Sequence, residues 1–131
     1  MKVVAFNGSP KKNGNTYEAI KAVGTELEKE NIELEIIHVG NKLIQGCLAC
    51  NGCGRNRNEK CVIKNDEVNQ WIQKMKEADG IILGSPVYTA NVSANMQAFL
   101  ERASVVTDMN REAGLFRHKV GAAVTAARRG G

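Results

Sequence analysis

Four cysteines fall within fifteen residues of a 131-residue chain: Cys47, Cys50 and Cys53 at the spacing C-x2-C-x2-C, and Cys61 after seven more residues. Short intervals let one loop wrap its thiolates around a single inorganic group, and the bacterial ferredoxin run begins with the same two intervals. Zinc is the first rival, because four thiolates also complete a tetrahedral structural site, although such sites more often come as two separated C-x2-C pairs. Thiols without any metal are the plainest alternative. Gly46, Gly52 and Gly54 are expected to let the backbone turn sharply between the cysteines.

A second constellation lies near the N-terminus, where the apolar run 3–6 stops at Gly8-Ser9-Pro10 and a polar loop leads to Asn15-Thr16. The pattern reads as strand, anion-binding loop and helix N-terminus. A helix leaves its first backbone N–H groups without internal partners, and its aligned peptide dipoles put partial positive charge there, so a phosphate fits. Ser9 and Thr16 hydroxyls, the Asn15 amide and Lys11 or Lys12 supply further donors. A nucleoside-triphosphate loop is excluded, because Gly8 and Gly14 have five residues between them and no lysine follows Gly14; a dinucleotide fingerprint is excluded by Pro10 at its second glycine. A monophosphate remains the better guest, and an ordinary turn between strand and helix is the alternative.

These residues need elements to position them. Ala19, Ile20, Val23 and Leu27 recur at helical spacing through about residue 30, and 34–39 then reads as a second strand. Strand, helix, strand implies a parallel pair with a right-handed crossover. Residues 46–61 show no periodicity and read as a long loop with its own purpose. A second helix is expected from Asn65-Asp66, with Val68, Trp71, Ile72, Met75 and Ala78 as its core stripe. The wholly apolar run 80–84 reads as a central parallel strand. Ser93 can cap a third helix with Met96, Phe99, Leu100 and Ala103 inward, 108–117 reads as an irregular link, and 120–125 as a fourth strand. The order describes an open α/β domain, in which ligands bind beyond the carboxyl ends of the strands. Three loops lie at such ends: after residues 6, 84 and 125.

The composition is ordinary for a globular domain, at 43% apolar and 24% charged. A net charge of +4, clustered at Lys11-Lys12, between Arg55 and Lys60 and at Arg128-Arg129 with few aromatics interleaved, favours small anions over nucleic acid. No apolar stretch approaches the ~20 residues of a membrane span. A cytoplasmic location is expected, and a reducing compartment makes the cysteines metal ligands or redox thiols rather than a disulfide framework.

Taken together, GSPKKNGNT after the first strand, GSPVYTANVSANMQAFLER after the third and VTAARRGG after the fourth resemble the NAD(P)H-dependent FMN reductases of flavodoxin-like fold. The compact cysteine loop makes the likeness closest to the iron-sulfur flavoproteins among them, and it covers the chain from its first strand to its last residue. The resemblance implies an open parallel sheet with helices on both faces. It implies that the first loop holds the FMN phosphate through Ser9, Lys11, Asn15 and Thr16, that Pro86, Val87, Tyr88, Thr89 and Asn91 border the flavin ring, and that Thr125, Ala126, Arg128 and Gly130 close its other edge. It favours a [4Fe-4S] cluster on Cys47, Cys50, Cys53 and Cys61, near the flavin, over zinc or free thiols.

The function so implied is an FMN-dependent oxidoreductase that moves electrons from NAD(P)H or ferredoxin to an unidentified acceptor. The cofactor carries the chemistry, and no Ser/His/Asp or paired-carboxylate machinery is visible; His38 and His118 read as structural. The alternatives are a flavin electron carrier without turnover and a metal-stabilised phosphate-binding module. The fold usually has a fifth strand and a closing helix, so residues 1–131 are expected to form a single domain incomplete at its C-terminus. Its fourth strand would carry an unpaired apolar edge, with a homo-oligomer, dimer or tetramer, as one means of covering it.

Overall fold

The apolar runs at 3–6 and 80–84 lie side by side at the centre of a four-stranded parallel sheet of order β2-β1-β3-β4. The computed structural model describes residues 1–129. Its elements are β1 (Lys2–Asn7), α1 (Asn15–Lys29), β2 (Glu33–His38), α2 (Gly52–Asn56), α3 (Val68–Glu77), β3 (Gly80–Pro86), α4 (Ala94–Met109) and β4 (Val120–Ala126), with a 3-10 turn at Arg111–Ala113 before β4. This is the flavodoxin-like α/β fold.

Helices cover both faces of the sheet, which explains why the central strands alternate between two apolar environments rather than between core and solvent. On one face Val4, Phe6 and Ile81 pack with Trp71, Ile72 and Met75 of α3 and Met96, Phe99, Ala103 and Val106 of α4. Phe99 anchors this layer, with its ring 4.7 Å from that of Phe6 and edge-on to that of Trp71 at 5.4 Å. The other face is smaller: Ala5 and Ile82 meet Ile20 of α1, flanked by Val3, Leu27, Leu34 and Ile36. The core stripes expected for the second and third periodic helices, Trp71 and Met75 included, are therefore core.

The connections place the ligand loops. From β1 the chain crosses to β2 on one side, while β3 pairs with β1 on the other. Strand order thus reverses between β1 and β3, the switch point beyond whose carboxyl ends open α/β sheets have their ligand crevice. β4 pairs with β3 from Gly80↔Val120 to Pro86↔Ala126 and, among the described residues, on that edge alone. Val120 is 74% exposed.

Three local details differ from the sequence reading. The segment 46–61 is not wholly irregular, since α2 forms one short turn between left-handed residues at Asn51 and Arg57. The second periodic helix starts at Val68 rather than near residue 65, because the Asp66 carboxylate accepts from the Val68 amide and holds the chain in a turn before it. α4 runs on to Met109, shortening the irregular link.

Candidate functional site

Two serines draw the strand-end loops together. The Gly8 amide donates to the Gly84 carbonyl at 2.7 Å, joining the ends of β1 and β3. Ser93, the N-cap of α4, accepts from the Met96 amide at 3.4 Å and donates its hydroxyl to the Gly8 carbonyl at 2.6 Å, while its own amide donates to Ser85 Oγ at 2.9 Å. Ser85 Oγ in turn donates to the Pro86 carbonyl. One buried hydroxyl therefore spends its donor on the loop after β1 and its acceptor on α4, fixing the distance across the crevice. The Val87 amide donates to the Ala126 carbonyl at 3.0 Å and ties in the loop after β4. The three loops meet.

The first loop is held by its own side chains. Asn7 Oδ1 accepts from the Ser9 amide at 3.0 Å, Asn7 Nδ2 donates to the Lys12 carbonyl at 3.2 Å, and Ser9 Oγ accepts from the Lys11 amide at 3.2 Å. His38 Nε2 lies 2.7 Å from the Ser9 carbonyl, so that nitrogen carries the proton. Gly40 passes directly over Ser9, where an added Cβ would stand 2.1 Å from the Ser9 carbonyl oxygen. Asn95 secures this crossing by donating to the carbonyls of Val39, Gly40 and Lys42. At the start of α1, Gly14 occupies the N-cap without a side-chain cap, so no side chain satisfies the first-turn amides of Asn15 and Thr16. Ser9 and Thr16 are buried at the base of this turn, while Lys11, Lys12 and Asn15 are exposed at its rim. Open amides, two hydroxyls and nearby ammonium groups suit a phosphate.

Across the crevice, Pro86 is buried, Val87 is half-buried, and Tyr88, Thr89 and Asn91 are exposed. Tyr88 and Asn91 exchange backbone hydrogen bonds of 3.0 and 3.1 Å around Thr89 and Ala90, whose φ angles of 49° and 58° are left-handed. A β-branched residue rarely adopts that conformation, so the tight turn holds strain beside the crevice. Thr125 and Arg128 are exposed and Ala126 half-buried on the β4 side; Gly130 lies outside the described residues.

The four cysteines form a separate constellation on the flank of α4. Cys47, Cys50, Cys53 and Cys61 line one cavity with Val105, Val106 and Arg102. The Cys47 amide donates to Glu101 Oε2, and Asn69 brackets Cys61 by accepting from its amide at 2.8 Å and donating to its carbonyl at 2.9 Å. Cys53 is buried, Cys47 and Cys61 half-buried, and Cys50 exposed. Burial pushes the Cys53 thiol up, with the nearby Cys61 and Cys47 adding to it against the amides of Gly54 and Cys53.

The glycines of this loop act differently from the expectation above. The left-handed residues are Ala49, Asn51, Arg57 and Glu59, whereas Gly52 and Gly54 permit contact. A Cβ on Gly52 would come within 2.3 Å of Val62, and one on Gly54 within 2.4 Å of Asn51 Oδ1 and 3.1 Å of Met109 Sδ. Packing against neighbours, rather than sharp turning, is what requires them.

Among the described residues no three His, Cys, Asp or Glu side chains are arranged to hold a metal ion as they stand. The enclosed space is small, about 20 Å³, close to one water. Leu48 and Cys50 are its exposed members, and Cys53 and Arg102 its buried ones. The buried side also holds an unpaired donor: Arg102 Nε is buried without a hydrogen-bond partner. Four sulfur ligands around a buried cation with a spare N–H suit an anionic group. Volume alone points elsewhere, to an open groove of about 790 Å³ along α4 and another of about 960 Å³ beside Cys61. The second is lined by Lys60, Lys64 and Lys74 with Asn69, Gln70 and Gln73, yet neither lies where the strand-end loops meet or encloses all four cysteines, and those two features identify the crevice and the cysteine cavity.

The match to the NADPH-dependent FMN reductase family model runs over residues 1–131. The chain belongs to this family. It is 41% identical over 133 residues to an iron-sulfur flavoprotein of Methanocaldococcus jannaschii, with all of this chain and 65% of that protein covered, and 37% identical over 102 residues to one of Archaeoglobus fulgidus, with 78% and 45% covered. The chain thus spans about two thirds of the length of the first relative and under half of the second. Among solved structures it resembles RosB with a bound formylated riboflavin phosphate intermediate (TM-score 0.75, 18% identity, covering 97% of this chain and 52% of that one). It also resembles an NAD(P)H:quinone oxidoreductase from Methanothermobacter marburgensis (TM-score 0.71, 14% identity, 97% and 64%). At such identities the structures speak for the fold alone.

Sequence reasoning passed over Arg102, Ser93's link to Gly8 and the seating of Gly40. Arg102 had a signal: it falls three residues after Phe99 and directly before Ala103, a charge on the apolar stripe of a helix. A charge there is buried and therefore paired. The other two contacts join residues far apart in sequence and leave no local mark.

Proposed function

We propose that this chain is an FMN-dependent oxidoreductase module that carries electrons from NAD(P)H or ferredoxin to an acceptor by way of a [4Fe-4S] cluster. The observation that carries the reading is the convergence of three strand-end loops at the β1/β3 switch point, with open amides and hydroxyls, in a member of this family. Ser9, Lys11, Asn15 and Thr16 would hold the phosphate. Pro86, Val87, Tyr88, Thr89 and Asn91 would border the ring, with Thr125, Ala126 and Arg128 at its other edge and Gly130 assigned from sequence alone. Cys47, Cys50, Cys53 and Cys61 would ligate the cluster, a reading favoured by their shared cavity and by the iron-sulfur flavoproteins among the relatives.

Bound flavin supplies the exchange of electron pairs for single electrons, and the protein's part is orientation. The first loop fixes the phosphate end. The Tyr88–Asn91 turn uses the amides of its two end residues for its own closure and would set the exposed Tyr88 beside the ring, while the Ser93 hydroxyl ties the two walls together. α4 links the two sites, since it starts at the crevice and reaches Arg102 eight residues later, roughly 12 Å along its axis.

The same proposal includes a cytoplasmic location and a homo-oligomer, as the sequence reading expects. No described helix is long and apolar enough to cross a membrane. Anaerobic purification followed by a visible spectrum, iron and sulfide analysis, and steady-state oxidation of NADH and NADPH with added FMN tests the reading. Flavin absorption with turnover is expected; tight flavin binding without turnover favours an electron carrier, and no flavin binding overturns the proposal.

A further inference from the structure

Arg102 is 1% exposed, its side chain is wholly shielded, and it is the largest fully buried residue of the molecule. Its guanidinium is only partly satisfied. One terminal nitrogen pairs with Asp66, itself 5% exposed, and the other donates to the Ile63 carbonyl at 3.2 Å. Nε has no partner, and it is the only side-chain nitrogen or oxygen so stranded among the described residues. A purely structural arginine-aspartate pair can close a two-bond fork, whereas here the carboxylate takes one terminal nitrogen and leaves the Nε edge open. The same side chain lines the cavity of the four cysteines, with Val105 and Val106 as its other walls on α4. An unpaired donor on a permanent cation is costly in an apolar setting unless an anion completes it.

We propose that Arg102 Nε donates a hydrogen bond to an anionic sulfur of the group held by Cys47, Cys50, Cys53 and Cys61, and so favours that group's reduced state. The inference rests on the cluster reading above. Reduction adds negative charge, and a buried cation with a pre-placed N–H stabilises the more negative form; hydrogen bonds to sulfur and local charge are established controls on cluster potential. Asp66 and Ile63 hold the guanidinium in the wall of the cavity, and the Nε edge is the part they leave free.

The test uses the full chain, reconstituted anaerobically with iron and sulfide and titrated electrochemically while the reduced cluster is followed by electron paramagnetic resonance. Removing Arg102 alone would strand Asp66, so the main variant is Arg102→Met with Asp66→Asn, which removes the N–H and leaves the net charge of the pair unchanged; Arg102→Lys with native Asp66 keeps both the charge and a donor. The double variant is expected to bind iron as the native chain does and to have a midpoint potential more negative by a tenfold change in the reduction equilibrium, ~59 mV for one electron. Arg102→Lys is expected to fall between the two. Loss of iron from a folded double variant, with iron retained by Arg102→Lys, also supports the contact. Equal potentials in iron-loaded native and double-variant proteins, or loss of iron from both variants, overturn the inference and leave the cluster reading intact. A native chain that takes up no iron overturns both.

Discussion

Gly40 and Ser9 are thirty-one residues apart, and their contact decides the shape of the phosphate loop. With a Cβ at position 40 only 2.1 Å from the Ser9 carbonyl, which also receives the His38 ring N–H, Gly40→Ala must push the loop or the β2 exit aside. The expected cost is about 1–3 kcal/mol in urea unfolding, accompanied by weaker FMN binding; native stability and affinity in the variant would rule out the close packing described above. Ser9→Ala with Thr16→Ala acts on the ligand directly. Hydrogen bonds to a charged group are worth ~1.5–3 kcal/mol each, so the double variant is expected to bind FMN at least tens-fold more weakly by fluorescence titration. Riboflavin, lacking the phosphate, should bind weakly to native and variant alike.

At the scale of elements, the turn at Thr89 and Ala90 and the joint between β1, β2 and α3 behave differently. Two left-handed non-glycine residues in succession form a hairpin turn that Asn-Gly would form without strain. Thr89→Asn with Ala90→Gly is therefore expected to raise stability by about 1–2 kcal/mol, read as a higher thermal midpoint; a fall would show that the strain is released elsewhere. On the α3 side, hydrogen bonds from Lys2 and Lys74 hold the Glu35 carboxyl below its ordinary range. A depressed carboxyl contributes fully above its unfolded value, 4.5, and loses that contribution as pH falls through the folded one. All three partners are partly exposed and screened by solvent, so the contribution is small. Glu35→Gln is expected to destabilise the protein at pH 7, and the difference from the native chain in urea unfolding is expected to shrink as pH falls below 4.5.

The molecule buries its central strands β1 and β3 on both sides, and the halves are unequal. Phe99 joins β1, α3 and α4 by touching both Phe6 and Trp71, so Phe99→Ala is expected to cost about 3–5 kcal/mol and to lower the thermal midpoint in one transition. The phosphate crevice lies at the start of α4 and the cysteine cavity on its flank. Cys50 is the exposed member of that cavity, and replacing it should leave the crevice intact. Cys50→Ser is thus expected to abolish the broad visible absorption of reconstituted protein while FMN affinity stays within about twofold; equal loss of both would place the two sites in contact.

The chain's local pattern was enough to determine the parallel α/β class, the three strand-end loops and the core stripes through Trp71 and Phe99. Hydrophobic period and turn residues act within a few positions of one another and can be read without a fold. The cysteine spacing was legible for the same reason. What the tertiary structure decided were the contacts between distant segments: Ser93 joining Gly8 to α4, Gly40 resting on Ser9, the glycines of the cysteine loop serving close packing, and Arg102, paired with Asp66, keeping a free Nε in the wall of the four-cysteine cavity. None of these has a period, because each depends on where separate elements are brought by the packing of the sheet. Close approach and the satisfaction of a buried charge are properties of three-dimensional neighbours, and sequence order does not record them.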